Sequence, residues 1–152
     1  MASILLIDDD ENLRIMIVEL LRSAGHTVDT ADDGKTGLAL YKATLHDLVV
    51  TDIVMAEMDG LKLIDELRQM EPRPRVIAIS GGHKFSQPVY LPAAKRLGAE
   101  RILAKPIMPD VLLQTVADVL AEPAPAPVRH TIGRDGTAAQ IEKAETGTGK
   151  PK

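Results

Sequence analysis

Ile4-Leu5-Leu6-Ile7-Asp8-Asp9-Asp10 is a four-residue aliphatic run that stops dead in three acids, and its reading decides the fold. A short continuous apolar run suits a strand covered on both faces, the hallmark of a central strand in a parallel sheet. Two more runs repeat the pattern with charge at the end: Leu48-Val49-Val50-Thr51 leads into Asp52, and Arg101-Ile102-Leu103-Ala104 leads into Lys105-Pro106. If all three are parallel strands, their endings share one edge, where ligands of open α/β sheets bind. Asp8, Asp9, Asp52 and Lys105 then converge. Clustered carboxylates repel unless a cation sits among them, and hard oxygen ligands suit Mg²⁺. A divalent ion beside a lysine handles phosphoryl groups.

Working outward, five apolar runs alternate with segments of helical period, as βαβ units do. Strands are expected near Ser3–Ile7, Thr27–Thr30, Leu48–Thr51, Arg75–Ile79 and Arg101–Ala104, with the first, third and fourth central. Leu13, Met16, Ile17, Leu20 and Leu21 mark one helical face, closed by Gly25. Further helices are expected over Asp33–Ala43, Leu61–Met70 and Pro109–Ala121, and a short fourth one over Val89–Leu97 after an irregular stretch from His83. From Glu122 the composition changes: Pro and Ala alternate to Pro127, and the remainder is polar and Gly-rich. Residues 1–121 are therefore expected to form one domain, and 122–152 a stiff linker and a disordered tail, with at most a helical turn over Ala138–Ala144. The tail's Gly147-Thr148-Gly149-Lys150-Pro151 lacks the first glycine, the Ser or Thr, and the flanking elements of a phosphate-binding loop.

Composition narrows the function. The 152 residues carry a net charge of −4, which gives no reason to expect direct DNA binding. Cysteine is absent, which excludes disulfides, thiolate metal sites and cysteine catalysis. No apolar run reaches membrane-spanning length or forms a signal-peptide core, so a cytoplasmic protein is expected. Aromatics are only 2% of residues, so aliphatic side chains must build the core.

Asp52 ends a buried strand, while Asp59-Gly60 downstream already supplies turn and helix-start chemistry; Asp52 is thus free for another role. A carboxylate can attack a phosphoryl group when the charges of both are offset. Asp10 and Glu11 suit the positive end of the first helix, and the acids before them exceed what capping needs. Ser80 ends the fourth strand before Gly81-Gly82, where a hydroxyl and open backbone N–H groups can meet the same phosphoryl group. His26, His46, His83 and His130 have no ligand spacing and are read as surface or loop residues.

In this order and spacing, Ile4 to Asn12, Asp52-Ile53-Val54-Met55 with Met58-Asp59-Gly60, Ile77-Ala78-Ile79-Ser80-Gly81, and Leu97-Gly98-Ala99 followed by Lys105-Pro106 resemble a receiver domain of the bacterial two-component response regulators. The resemblance implies a doubly wound, flavodoxin-like, five-stranded parallel sheet in the order 2-1-3-4-5 with five helices. It further implies a stand-alone signalling switch in a phosphorelay rather than an enzyme. A histidine kinase or histidine phosphotransfer protein would phosphorylate Asp52. Asp9, Asp8, Asp52 and the backbone carbonyl of Val54 would hold Mg²⁺. Lys105, Ser80 and Gly81 would meet the phosphoryl group, and Lys105-Pro106 would be cis. Output would pass to a downstream protein through the face of the fourth helix, fifth strand and fifth helix, from a monomer or a phosphorylation-dependent dimer.

Three departures accompany the resemblance. Ile102 stands at the second switch position, where an aromatic is usual; the stretch between Ser80 and Lys105 is longer than usual; and Ala56 replaces a common proline. Two other readings compete: a haloacid-dehalogenase-type phosphohydrolase using Asp8 and Asp10, and a degenerate receiver that only binds partners.

Overall fold

The computed structural model describes residues 1–53, 60–81, 96, 98–125, 130–132 and 138–140. The strands β1 (Ser3–Ile7), β2 (Thr27–Ala31), β3 (Leu48–Asp52), β4 (Arg75–Ser80) and β5 (Arg101–Ala104) form one parallel sheet in the order 2-1-3-4-5. Between and after them run α1 (Glu11–Ser23), α2 (Gly34–Thr44), α3 (Gly60–Arg68) and α4 (Pro109–Ala121), the last being the fifth helix of the sequence reading. Of the expected fourth helix, Val89–Leu97, only Arg96 is described, as helical; the rest lies outside the described residues, as do Val54, Ala56, Gly82, His83, Phe85 and Tyr90.

Strands β1, β3 and β4 are buried almost throughout, so they are the central strands expected from their unbroken aliphatic runs. Alternation along them feeds two cores. Leu5, Ile7, Val49, Val76 and Ala78 pack with Leu38 and Tyr41 of α2 and Leu63, Ile64 and Leu67 of α3. Ile4, Leu6, Leu48, Val50, Ile77 and Ile79 face the opposite way, against Ile17 and Leu21 of α1 and Leu112, Val116 and Val119 of α4. Each fully buried Leu, Ile or Val stabilises the fold by roughly 1.5–3 kcal/mol. This double covering pins the strand ends at which charge gathers.

Helix boundaries follow their capping chemistry. The Asp10 side chain accepts from Leu13 N at 3.1 Å and the Asp33 side chain from Thr36 N at 2.7 Å, starting α1 and α2. Gly25, at φ 97°, closes α1 in the left-handed region where glycine carries no steric penalty. Helix α2 ends instead on Leu45 at φ 56°, an unusual residue for that conformation. The chain turns there, and His46 goes inside.

Of the two settings expected for the histidines, surface or loop, His46 takes the loop, but a buried position in it. His46 is 3% exposed, with Nε2 2.7 Å from Asp29 Oδ2 on β2. Its ring lies 6.3 Å from that of Tyr41, whose hydroxyl donates to Pro72 O at 2.9 Å. A paired imidazole replaces an aliphatic side chain under the sheet edge.

Past the sheet, β6 (His130–Ile132) and β7 (Ala138–Gln140) form a separate antiparallel pair. The composition predicted no regular structure here beyond at most a helical turn over Ala138–Ala144; residues 138–140 form a strand instead, and 141–144 lie outside the described residues. Thr131 and Ile132 are β-branched and favour extended backbone.

Candidate functional site

Strand register brings the charged endings together. Ile7 is level with Thr51, so Asp8 and Asp52 leave adjacent strands side by side. Asp52 is level with Ile79, one residue before Ser80, and Ser80 is level with Ala104, one residue before Lys105. One edge of the sheet thus collects side chains spread over almost a hundred residues of chain.

Lys105 Nζ donates to Asp52 Oδ2 at 2.9 Å and lies 3.9 Å from Asp8 Oδ2. Burial alone would lower the Lys105 pKa, but the hydrogen bond to Asp52 and the charges of Asp52, Asp8 and Asp10 outweigh it and hold the ammonium above its ordinary value. Lys105-Pro106 is cis, as expected. Gly81 belongs to the same construction: a Cβ there would strike the Cβ, Cγ and Cδ of Lys105, so the bare backbone is what lets that side chain lie across toward Asp52.

Asp8 is fully buried. Its Oδ1 accepts from Asp10 N at 2.8 Å, and its Oδ2 has no hydrogen-bond partner. Burial is the main reason that its pKa rises to about 6; the Asp10 amide pulls it down, Asp52 pushes it up, Lys105 pulls it down and Asp9 adds a further push. An ionised oxygen buried without a donor is costly, which makes it a ready ligand. Carboxylate oxygens of Asp8, exposed Asp9 and buried Asp52 lie within 4.8 Å of one another. Three hard anionic donors, one of them orphaned, fit a small divalent cation such as Mg²⁺.

Helix α3 braces the strand that carries Asp52. A Cβ on Gly60 would collide with the carbonyl oxygen of Asp52 and sit 2.5 Å from Ile53 Cα, so α3 begins pressed directly against the backbone that carries Asp52. Gly60 N donates to Ile53 O at 2.7 Å, which sets the spacing.

Of the residues singled out from the sequence, Asp8, Asp9, Asp52 and Lys105 meet at one point, and Ser80 ends the neighbouring strand, 5% exposed. Ile102 is not at this edge. It is level with Ala78, half-buried, and packs against the core beneath α2 and α3. Val54 lies outside the described residues. The sequence reading missed Arg14, whose NH1 donates to the Asp8 carbonyl at 2.7 Å. Its one signal is position: it is the first cation after the acids, one helical turn from Asp10.

The sequence matches the response regulator receiver domain family over residues 4–117. It is 36% identical over 125 residues to the transcriptional regulatory protein GlrR of Escherichia coli (strain K12), covering 82% of this chain and 28% of that protein. The chain thus spans under a third of that relative. It is 32% identical over 118 residues to the chemotaxis protein CheY of Bacillus subtilis (strain 168), covering 77% of this chain and 96% of that one. The structure of a putative response regulator from Chloroflexus aurantiacus J-10-fl superposes with a TM-score of 0.75 at 27% identity, covering 80% of this chain and 98% of that one.

Proposed function

The chain belongs to the response regulator receiver domain family, and on that premise we propose that it is a signalling switch whose phosphoryl acceptor is Asp52. The observation that carries the assignment is the Lys105 ammonium bonded to Asp52 Oδ2 beside the orphaned Asp8 Oδ2. One carboxylate is hydrogen-bonded to the ammonium; the next has a buried oxygen with no hydrogen-bond donor, 3.9 Å from the same cation.

In the transfer an Asp52 oxygen attacks the phosphorus of a phosphohistidine on a histidine kinase or phosphotransfer protein. The P–O bond forms as the P–N bond breaks, and the imidazole leaves to take up a proton. Asp8, Asp9 and Asp52, with the carbonyl of Val54, would hold Mg²⁺, which when bound offsets negative charge on the phosphoryl oxygens. Lys105 exchanges its bond to the carboxylate for bonds to the new phosphoryl oxygens, and the backbone N–H at Gly81 faces the same group. Ser80, at the end of the strand joining β3 to β5, reports occupancy by turning its hydroxyl toward the phosphoryl group. The resulting bias between two loop arrangements is the output.

The receiver comprises residues 1–121, with 122–152 an appended linker and tail. Output passes to a protein partner through the face that includes β5 and α4, where Met108 and Val111 are exposed. The partner meets a monomer or a phosphorylation-dependent dimer. No helix among the described residues is long and apolar enough to cross a membrane, in keeping with a cytoplasmic site of action. With Ile102 in place of an aromatic, this chain's switching runs through Ser80 without an aromatic swing.

Incubation with a small acyl phosphate and Mg²⁺, followed by intact-mass analysis, should add one phosphoryl group to the wild type and none to Asp52→Ala. Equal labelling of the variant sinks the assignment, and phosphomonoester turnover that depends on Asp8 would restore the phosphohydrolase reading. A partner whose affinity is the same before and after labelling would leave only a binding module.

A further inference from the structure

We propose that Arg14 is a positioning residue for the acidic pair: its guanidinium fixes the peptide plane that joins Asp8 to Asp9, and so sets the directions in which their carboxylates point. The inference rests on reading Asp8 and Asp9 as cation-holding residues.

The Asp8 carbonyl belongs to the same rigid amide as the Asp9 nitrogen, so whatever orients that carbonyl orients the start of Asp9. On its other side Asp8 is held by its own amide, which donates to Ala31 O of β2 at 3.1 Å. Arg14 closes the second side. NH1 donates to Asp8 O at 2.7 Å, while Arg14 N donates to Asp10 O at 3.0 Å, so a single residue of α1 grips the loop at both ends of the acid run. Asp10 completes the lock, its amide on Asp8 Oδ1 at 2.8 Å and its own carboxylate on Leu13 N at 3.1 Å. With Oδ1 so engaged, Oδ2 is the oxygen presented to the pocket.

Charge and position act in opposite directions here, which makes the role testable. A cation near the site repels Mg²⁺, so on electrostatics alone deleting Arg14 should tighten binding. If Arg14 holds the ligand geometry, deleting it should weaken binding, as loss of a residue that orients metal ligands does by about 10- to 100-fold. Arg14→Met removes the charge and the donor while keeping an unbranched side chain of good helix propensity.

The experiment is calorimetric titration of the unphosphorylated protein with Mg²⁺, paired with amide hydrogen exchange in its absence. Arg14→Met should bind Mg²⁺ about tenfold more weakly. Arg14→Lys, which keeps a donor and the charge, should recover most of that loss. Without metal, exchange at the Asp9 and Asp10 amides should quicken in Arg14→Met while Ile17 in the interior of α1 is unchanged. Equal or tighter binding by Arg14→Met overturns the proposal. So does weaker binding by Arg14→Lys and Arg14→Met alike with no change at the Asp9 and Asp10 amides. Failure of the wild type to bind Mg²⁺ overturns the cation-holding reading itself, and with it this one. Should Arg14→Met not fold, Arg14→Leu, which likewise removes the charge and the donor, takes its place with the same expected signs.

Discussion

The two edges of the sheet each hold a carboxylate out of bulk solvent, Glu100 part-buried and Asp8 fully buried, and that difference in depth sets what each can do. At the amino edge, Glu100 precedes β5 with both its backbone and its side chain engaged. Its amide donates to Val76 O at 2.7 Å, its Oε2 accepts from Val76 N at 2.6 Å, and Oε1 lies 3.9 Å from Arg73. At the carboxyl edge, Asp8 Oδ1 accepts from the Asp10 amide, while Oδ2, fully buried, has no hydrogen-bond partner and lies 3.9 Å from Lys105 Nζ. Burial raises the pKa of both groups, against the pull of the Val76 amide and Arg73 on Glu100 and mainly of the Asp10 amide on Asp8. A raised pKa is therefore common to a carboxylate in a strand-to-strand contact and to one in the acidic cluster; what distinguishes Asp8 is a fully buried oxygen without a hydrogen bond, beside Asp9 and Asp52. Glu100 extends the β4–β5 ladder by one side-chain rung. Asp8 leaves a gap for something to fill.

The contrast breaks first at Glu100. Glu100→Ala strands the Val76 amide and removes one of the partners of half-buried Arg73, and should lower stability by about 2 kcal/mol in urea unfolding. A loss no larger than that of a surface substitution would mean that the amino edge is not a structural clamp.

Asp8→Asn should move stability the other way. A carboxyl whose folded pKa is about 6 against an ordinary 3.8 destabilises the fold wherever it is ionised. That penalty is complete above pH 6, fades as pH falls through about 6, and is gone below about 3.8. Removing it should raise the stability of metal-free protein at pH 7 by about 2 kcal/mol, within the roughly 3 kcal/mol that the pKa difference allows. The gain should shrink toward pH 5. Saturating Mg²⁺ should stabilise the wild type and leave Asp8→Asn nearly unmoved. A variant less stable than wild type at pH 7 without metal would show that the bare oxygen carries no penalty.

The smallest effect belongs to the Arg101–Glu122 ion pair beside the amino-edge clamp, whose side chains are 43% and 35% exposed. Solvent screens such a pair, so Arg101→Ala should cost well under 1 kcal/mol in thermal unfolding. A larger loss would assign it to the clamp, alongside Arg75, which donates to Glu122 O at 2.6 Å.

Where local sequence and long-range packing agree, the chain was legible. The four-residue aliphatic run at β1 and the three-residue run at β3 suit strands covered by helices on both faces, and Gly25, Pro109 and Asp33 mark helix ends by steric and hydrogen-bonding rules that need no neighbours. His46 was illegible because its burial follows from Leu45 adopting a conformation that its side chain disfavours, and no periodic signal announces that. The antiparallel pair beyond Pro125 was hidden by composition: His130-Thr131-Ile132 is too short to stand out from a polar stretch. Arg14 was passed over because an arginine on a helix reads as solvated until its backbone partner is known.

By itself the sequence determined the kind of chemistry. Consecutive acids, an aspartate and a Lys-Pro each placed directly after an apolar run admit few arrangements, because strand period and burial force the runs together and leave the charges at an edge. What only the tertiary structure decided is which atom of each group is spoken for. That Asp8 gives Oδ1 to Asp10 and keeps Oδ2 bare, that Lys105 has chosen Asp52, and that Arg14 grips the peptide between the two acids all depend on register and on side chains brought together from distant parts of the chain. Hydrogen bonds act over about 3 Å, and linear spacing does not resolve that distance.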